Sequence, residues 1–383
     1  MKKRFLLSIP VCSILMILVG ASCFAQNTIR IGVDTPLTGS GATAGHYLLW
    51  GAQIAADEVN AKGGVLGKKV ELVVRDDETQ VQKAINNIKE LVFKEKVPAI
   101  VGPVNSGSTI AFLPILQKEQ VPIMVLVATA AKITEMYQNE PKSYVFRTAL
   151  PDDGQVKAIV KYVVKKFKKI GIAADSTGYG QFGQESLLEE FKKYNVKPVE
   201  MVKFNLGDTD MTSQLSKLKA AECDCVIVYS LGPENANLMR SADKINYRPA
   251  FVGPWTFFHY EVSELAPRVS NGMVGVLSST ANDSDKAKEI DEIVRKKFVK
   301  DKFYPFTFIA VSYEGTMLML DAIKRAGSTD PKAIRDALEN TEQFQGISKL
   351  FTKPFLNKDH NLYQAEDMFL GVWQDGKVVK VVD

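Results

Sequence analysis

The stretch "AIVGPVNSGSTIAFLPILQ", Ala99 to Gln117, decides how the rest of the chain reads. An apolar, strand-like run breaks at Gly102-Pro103, passes through Asn105, Ser106, Gly107, Ser108 and Thr109, and enters an apolar helical pattern. Small hydroxyl residues at a strand-to-helix junction mark a helix N-terminus, where free N–H groups attract anions. No Lys follows in the GxxxxGK[ST] arrangement that cradles a nucleotide phosphate, so a smaller anion is expected.

Outward from this junction, strand-like and helix-like segments alternate. "IRIGVD" (29–34), "KVELVVRDD" (69–77), "PAIVG" (98–102) and "VPIMVLV" (121–127) read as strands, with helical patterns at 46–61, 80–95 and 108–118. After "YVFRTALPDD" the theme starts again: a helix over 153–167, "KIGIAA", a helix over 181–194, "KPVEMVKF", a helix over 210–220 and "CDCVIVYS". Helical patterns return at 284–298, 310–326 and 331–339, and "DMFLGVWQDGKVVKVV" closes as a hairpin around Asp375-Gly376. Repeated βα units imply parallel sheets covered by helices on both faces, and 383 residues exceed one core. The expectation is an α/β protein of two doubly wound parallel-sheet lobes with a cleft between them. Ligands then gather at the carboxyl ends of the strands, where the opening stretch puts its hydroxyls.

The first 25 residues belong to neither lobe. Lys2, Lys3 and Arg4 precede an apolar run from Phe5 to Gly20, and Cys23-Phe24-Ala25 places small residues before a cut at Gln26. This reads as an export signal and implies a periplasmic location. Lipid anchoring through Cys23 is the less favoured alternative, because Gly20 stands where such signals prefer Leu. Without this segment, 45 Lys and Arg face 44 Asp and Glu, a balance that asks for neither nucleic acid nor an anionic membrane. "KKFKK", Lys165 to Lys169, reads as the solvated end of a helix. Cys223 and Cys225 are expected as buried free thiols on one strand face, and no metal or cofactor is expected.

Catalytic readings find little support. "GSGATAG", Gly39 to Gly45, followed by Asp76 and Asp77, resembles a dinucleotide fingerprint, but its loop is too long for the usual pyrophosphate turn. A secreted oxidoreductase therefore stays a remote alternative. Beyond the signal, histidine occurs only at 46, 259 and 360, and no Gly-x-Ser-x-Gly elbow or HExxH motif is present. Binding remains. Ser106, and Thr129 in "VATAAKIT", end neighbouring strands and are placed to donate to one small carboxylate; three or four charge-assisted bonds at about 1.5–3 kcal/mol each would fix it. Plain helix capping is the competing reading for Ser106. The second half offers aromatics at strand ends, Tyr179, Tyr229 and Trp255, suited to an apolar ligand body or to core packing.

Taken in order, "IRIGVDTPLTGSGATAG", "WGAQIAADEVNAKGGVLGKKVELVVRDDETQ", "AIVGPVNSGST", "VPIMVLVATA", "YVFRT", "GYGQFGQ" and "SYEGTMLMLDAIKRAG" resemble the leucine/isoleucine/valine-binding proteins over nearly the whole chain after the signal. The resemblance implies a type I periplasmic binding protein: two lobes joined by three chain crossings, residues 26–148 with 279–349 and 149–278 with 350–383. It implies closure on a small ligand, delivery to an ATP-driven membrane permease, no catalysis and a monomer; a ligand-sensing receptor of the same fold is the alternative. Carried over by motif, Ser106 and Thr129 hold the ligand carboxylate with Ala128 beside them, and Tyr179 covers the ligand; Asn105, Tyr229 and Trp255 join them as candidate ligand contacts on the reading of the residues alone. Trp255 stands where amino-acid binders of the family carry an acid for the ammonium. Glu234, Glu261 or Glu264 are the candidates to replace it, and Ala44 or a neighbour opens space where the family has an aromatic. An amino acid with a hydrophobic side chain is the family default, and an aromatic or aliphatic carboxylate competes with it.

Overall fold

The computed structural model describes residues 28–300, 302–355 and 359–381; the segment expected to be an export signal, with Cys23, lies outside them. Five strands form the first sheet: β1 (Thr28–Thr35), β2 (Lys69–Asp76), β3 (Ile100–Val101), β4 (Ile123–Val125) and β5 (Val145–Arg147). Their order is β2-β1-β3-β4-β5 and every pairing is parallel, with Thr28 opposite Lys69 and Gly32 opposite Ile100. β3, β4 and β5 are buried at every position, because helices cover both faces of the sheet.

The second sheet repeats this winding. β6 (Ile170–Asp175), β7 (Glu200–Phe204), β8 (Cys225–Tyr229), β9 (Ala250–Val252) and β10 (Val274–Leu277) lie in the order β7-β6-β8-β9-β10. The chain then leaves this sheet for helices Asp285–Val294 and Phe306–Ala326, the latter packed along helix Ala42–Ala61 of the first sheet's layer. A small antiparallel pair follows, β11 (Gln343–Gln345) with β12 (Leu350–Thr352). The chain returns to the second sheet as β13 (Phe369–Gln374) and β14 (Lys377–Lys380), antiparallel on its β10 edge. The chain thus passes three times between the two layers.

The boundaries depart from the periodicity in readable ways. The helices expected over 80–95 and 284–298 each end in a π-helical turn, Glu90–Lys94 and Arg295–Val299, which shifts the apolar face by a residue. Helix Gly232–Lys244 was not legible, since "GPENANLMRSADK" has low overall hydrophobicity. Cys223 and Cys225 are buried free thiols, but they do not share a strand face. β8 begins only at Cys225, so alternation never reaches Cys223, which packs in a different core cluster beside Leu218. Burial pushes the Cys223 thiol up to about 11 and the Cys225 thiol higher still, so both stay protonated.

Candidate ligand-binding site

Gly102 sets the approach to the site. Its φ of +117° suits glycine, and a Cβ there would lie 2.4 Å from the Asp34 carbonyl oxygen. The chain then reaches Asn105, the N-cap of helix Ser106–Glu119, whose Oδ1 accepts from the N–H groups of Gly107 at 2.9 Å and Ser108 at 3.4 Å. Capping therefore falls to Asn105, and those two N–H groups are engaged within the helix. The Ser106 hydroxyl oxygen accepts from the N–H groups of Thr129 at 3.3 Å and Ala130 at 3.2 Å, tying the two neighbouring strand ends together. Its own proton is left to donate elsewhere. Ala128 is buried in the first layer's core, its N–H donating to the Pro103 carbonyl at 3.1 Å. Asn105 Nδ2 and Thr129 Oγ1, both buried, have no well-formed hydrogen-bond partner among the described residues.

Arg147, fully buried at the end of β5, fixes this corner. Its Nη1 donates to the Thr129 and Ala130 carbonyls, each at 2.8 Å, and its Nε to Asn361 Oδ1 at 2.7 Å. Burial pulls the guanidinium down to about 10, which still leaves it charged at neutral pH. Five residues on, Asp152 opens helix Asp152–Lys166, with its N–H donating to the Thr129 carbonyl at 2.9 Å. Its Oδ1 accepts from the Tyr229 hydroxyl at 2.5 Å, while Oδ2 is buried without a partner. Burial pushes this carboxyl up to about 6, against the opposing pull of the Tyr229 and Thr129 hydroxyls and Arg147. Asp152 was not among the sequence candidates: in "ALPDDGQV" it reads as an ordinary acidic residue in a first helical turn.

The aromatics come from the second layer. Tyr179 lies at the start of helix Gly178–Lys193, whose cap Thr177 accepts from the Gly180 N–H. Its ring is 4.9 Å from that of Tyr229, and its hydroxyl 3.3 Å from Thr256 Oγ1. Trp255 donates its backbone N–H to Gln155 Oε1 at 3.0 Å and stacks on Phe308 of helix Phe306–Ala326 at 4.0 Å and 21°. Phe308 was invisible as a candidate, because "PFTFIAV" has the apolar pattern of any core helix.

The two layers meet across this space. Gly107 and Gly178 are in backbone contact, Glu261 accepts from the Thr43 hydroxyl, Ser40 bonds Glu234, and the Tyr47 and His259 rings meet edge to face at 5.7 Å. The cleft is therefore closed. Glu234 and Glu261 are buried there, which raises both carboxyls, whereas Glu264 lies on the surface and does not face the cleft. Ala44 is buried near the cleft, and Tyr47, one turn further along its helix, supplies an aromatic at the interface. Of the two acids after "GSGATAG", Asp77 is fully buried with its Oδ1 accepting from the Thr79 N–H at 2.7 Å, and Asp76 is engaged by the loop itself. Asp76 accepts from the Leu37 N–H and the Thr38 hydroxyl, both at 2.8 Å, and Thr79 Oγ1 accepts from the Gly41 N–H. Among the described residues, no group of three or more His, Cys, Asp or Glu is placed to hold a metal ion.

Comparison with known proteins agrees with this geometry. A family described as periplasmic binding protein matches residues 28–377. The Leu/Ile/Val-binding protein homolog 2 of Brucella abortus is 28% identical over 350 residues, 91% of each chain. A periplasmic binding protein type 1 from Bordetella pertussis Tohama I superposes with a TM-score of 0.84 at 27% identity, covering 92% of this chain and 99% of that one. The branched-chain amino acid transporter substrate binding protein LivJ from Streptococcus pneumoniae, solved in complex with isoleucine, gives 0.79 at 28%, covering 92% and 100%. With the family pattern running from β1 to β14 and the repeated sheet order in place, the chain belongs to the periplasmic binding protein family.

Proposed function

We propose that this protein is the periplasmic substrate-binding component of an ABC importer and that it closes on an α-amino acid with an apolar body. In this reading the lobes are residues 26–148 with 279–349 and residues 149–278 with 350–383, and the closed form delivers the ligand to a membrane permease. The observation that carries the ligand class is Asp152. A buried carboxylate oxygen without a partner, beside the Thr129 hydroxyl and within reach of two tyrosines, matches an ammonium. Asn105 Nδ2 and the Ser106 proton supply donors for the neighbouring carboxylate. The acid that Trp255 displaces is thus supplied from the hinge side of the cleft. Burying an ammonium without such a partner is costly, so this pairing separates amino acids from plain carboxylates.

The test uses protein lacking residues 1–25, unfolded and refolded to strip carried-over ligand, with melting temperature followed against hydrophobic amino acids and their deaminated analogues. Ligand at 100 times its dissociation constant adds about 2.7 kcal/mol, a readable shift. Shifts with amino acids alone support the proposal; shifts with aromatic or aliphatic acids alone overturn the role of Asp152.

A further inference from the structure

A second group of unpartnered polar atoms lies inside the closed cleft, beyond the Trp255–Phe308 stack. Both ring nitrogens of His259 and Glu261 Oε2 are buried with no well-formed hydrogen-bond partner among the described residues, and the buried Tyr47 hydroxyl has the Tyr260 backbone N–H beside its oxygen, which leaves its proton to donate. Tyr47 and His259 are each 2% exposed, so solvent does not serve them. They form one group: the His259 ring is 5.7 Å from that of Tyr47, and Phe308 touches both, at 4.8 Å and 5.9 Å. Glu261 lies close enough to Tyr47 to oppose ionisation of its hydroxyl, and burial pulls His259 down to about 3, so its imidazole is neutral and offers one donor and one acceptor. Next to them opens a cavity of about 560 Å³ lined by Thr43, Tyr47, Trp50, Tyr260, Phe298 and Phe303, with Lys300 and Lys302 at its edge.

Phe308 stacks on Trp255 on one side and meets Tyr47 and His259 on the other. An aliphatic side chain of the leucine kind would satisfy none of the second group. A hydroxyl satisfies it from both sides, accepting from the Tyr47 O–H and donating to Glu261 Oε2 or an imidazole nitrogen. We infer that the ligand carries a hydroxyl at the end of its body remote from its carboxylate, read by Tyr47, His259 and Glu261. This specificity rests on the amino-acid reading above for its other end.

Isothermal titration of the refolded protein with matched pairs tests it: tyrosine against phenylalanine, and 5-hydroxynorvaline against norvaline. The hydroxylated member of at least one pair is expected to bind at least about tenfold tighter, because a site built to pair a hydroxyl rejects the analogue lacking it. Tyr47→Phe and, separately, His259→Gln should bring the members of that pair to the same affinity; urea midpoints check that each variant folds. Equal or tighter binding of the unhydroxylated members overturns the inference and leaves the amino-acid reading standing. The same titrations with the deaminated pair, 3-(4-hydroxyphenyl)propionate against 3-phenylpropionate, separate the two. Discrimination there with no binding of amino acids keeps the hydroxyl site and overturns the ammonium role of Asp152. Failure of every compound to bind overturns both.

Discussion

Asp152→Asn should move ligand-free closure and affinity in opposite directions. In the empty closed fold the Asp152 carboxyl is fully buried and raised from its ordinary 3.8 to about 6. Holding it ionised at pH 7 therefore costs up to about 3 kcal/mol. Asparagine keeps an oxygen for the Tyr229 hydroxyl and removes that charge, so the ligand-free variant should close more readily at pH 7, read as a smaller radius of gyration by small-angle scattering. With an amino acid bound the sign reverses. Removing one partner of a buried ion pair costs about 3–5 kcal/mol, which corresponds to roughly two to three and a half orders of magnitude in the dissociation constant. Titration calorimetry with the tightest amino acid found in the melting screen reads the affinity, and small-angle scattering of stripped protein reads the closure. A dissociation constant within threefold of the unmodified protein would refute the pairing, whatever happened to the radius of gyration.

Acidification tests the same group without mutation. Its ionisation cost in the closed form is fully present above about pH 6, fades as pH falls and is gone below 3.8, so the difference in ligand-free closure between Asp152→Asn and the unmodified protein should vanish over that window. Amino-acid affinity of the unmodified protein should meanwhile drop about tenfold per pH unit below about 6, read by calorimetry. Gly178→Ala puts a methyl group 2.6 Å from Gly107 Cα across the cleft. At about 1–3 kcal/mol for overpacking, affinity should fall roughly 5- to 150-fold with little change in urea midpoint, and small-angle scattering should show incomplete compaction on adding ligand. Arg147→Met leaves the Thr129 and Ala130 carbonyls without their guanidinium donor, and the urea midpoint should drop by the equivalent of about 3 kcal/mol or more.

The alternation of apolar strands with helical patterns made both sheets legible, because strands buried on two faces appear as continuous apolar runs. β10 and helix Gly232–Lys244 were not, since a four-residue strand and a polar helix carry too little periodicity to stand out. In the site, hydroxyls following a strand were visible as chemistry, whereas their division of labour was not. That Asn105 caps the helix while Ser106 ties two strand ends together depends on distances between chain segments. Asp152, Phe308, Tyr47 and His259 escaped for one shared reason. Each has an ordinary local context, and only the folding of distant segments against one another removes its solvent.

The unpartnered atoms also explain why such a cleft would stay open until a ligand arrives. Asn105 Nδ2, Thr129 Oγ1 and Asp152 Oδ2 are buried together in the closed form. Each such atom costs about 1–3 kcal/mol relative to hydration, and because the Thr129 hydroxyl stands against the Asp152 carboxyl the group counts as about two, disfavouring empty closure by roughly 2–6 kcal/mol. Moving a two-state equilibrium from 1:99 to 99:1 takes about 5.5 kcal/mol of differential binding, which falls inside that range. A ligand that pairs these atoms removes the penalty and adds its contacts only in the closed state, so its differential affinity is large by construction. An apolar cleft of the same shape would lack this bias, because two oily faces close on themselves. The polar atoms left over by the fold are therefore the switch as well as the grip, and substitutions that make them apolar should populate the closed form in the absence of any ligand.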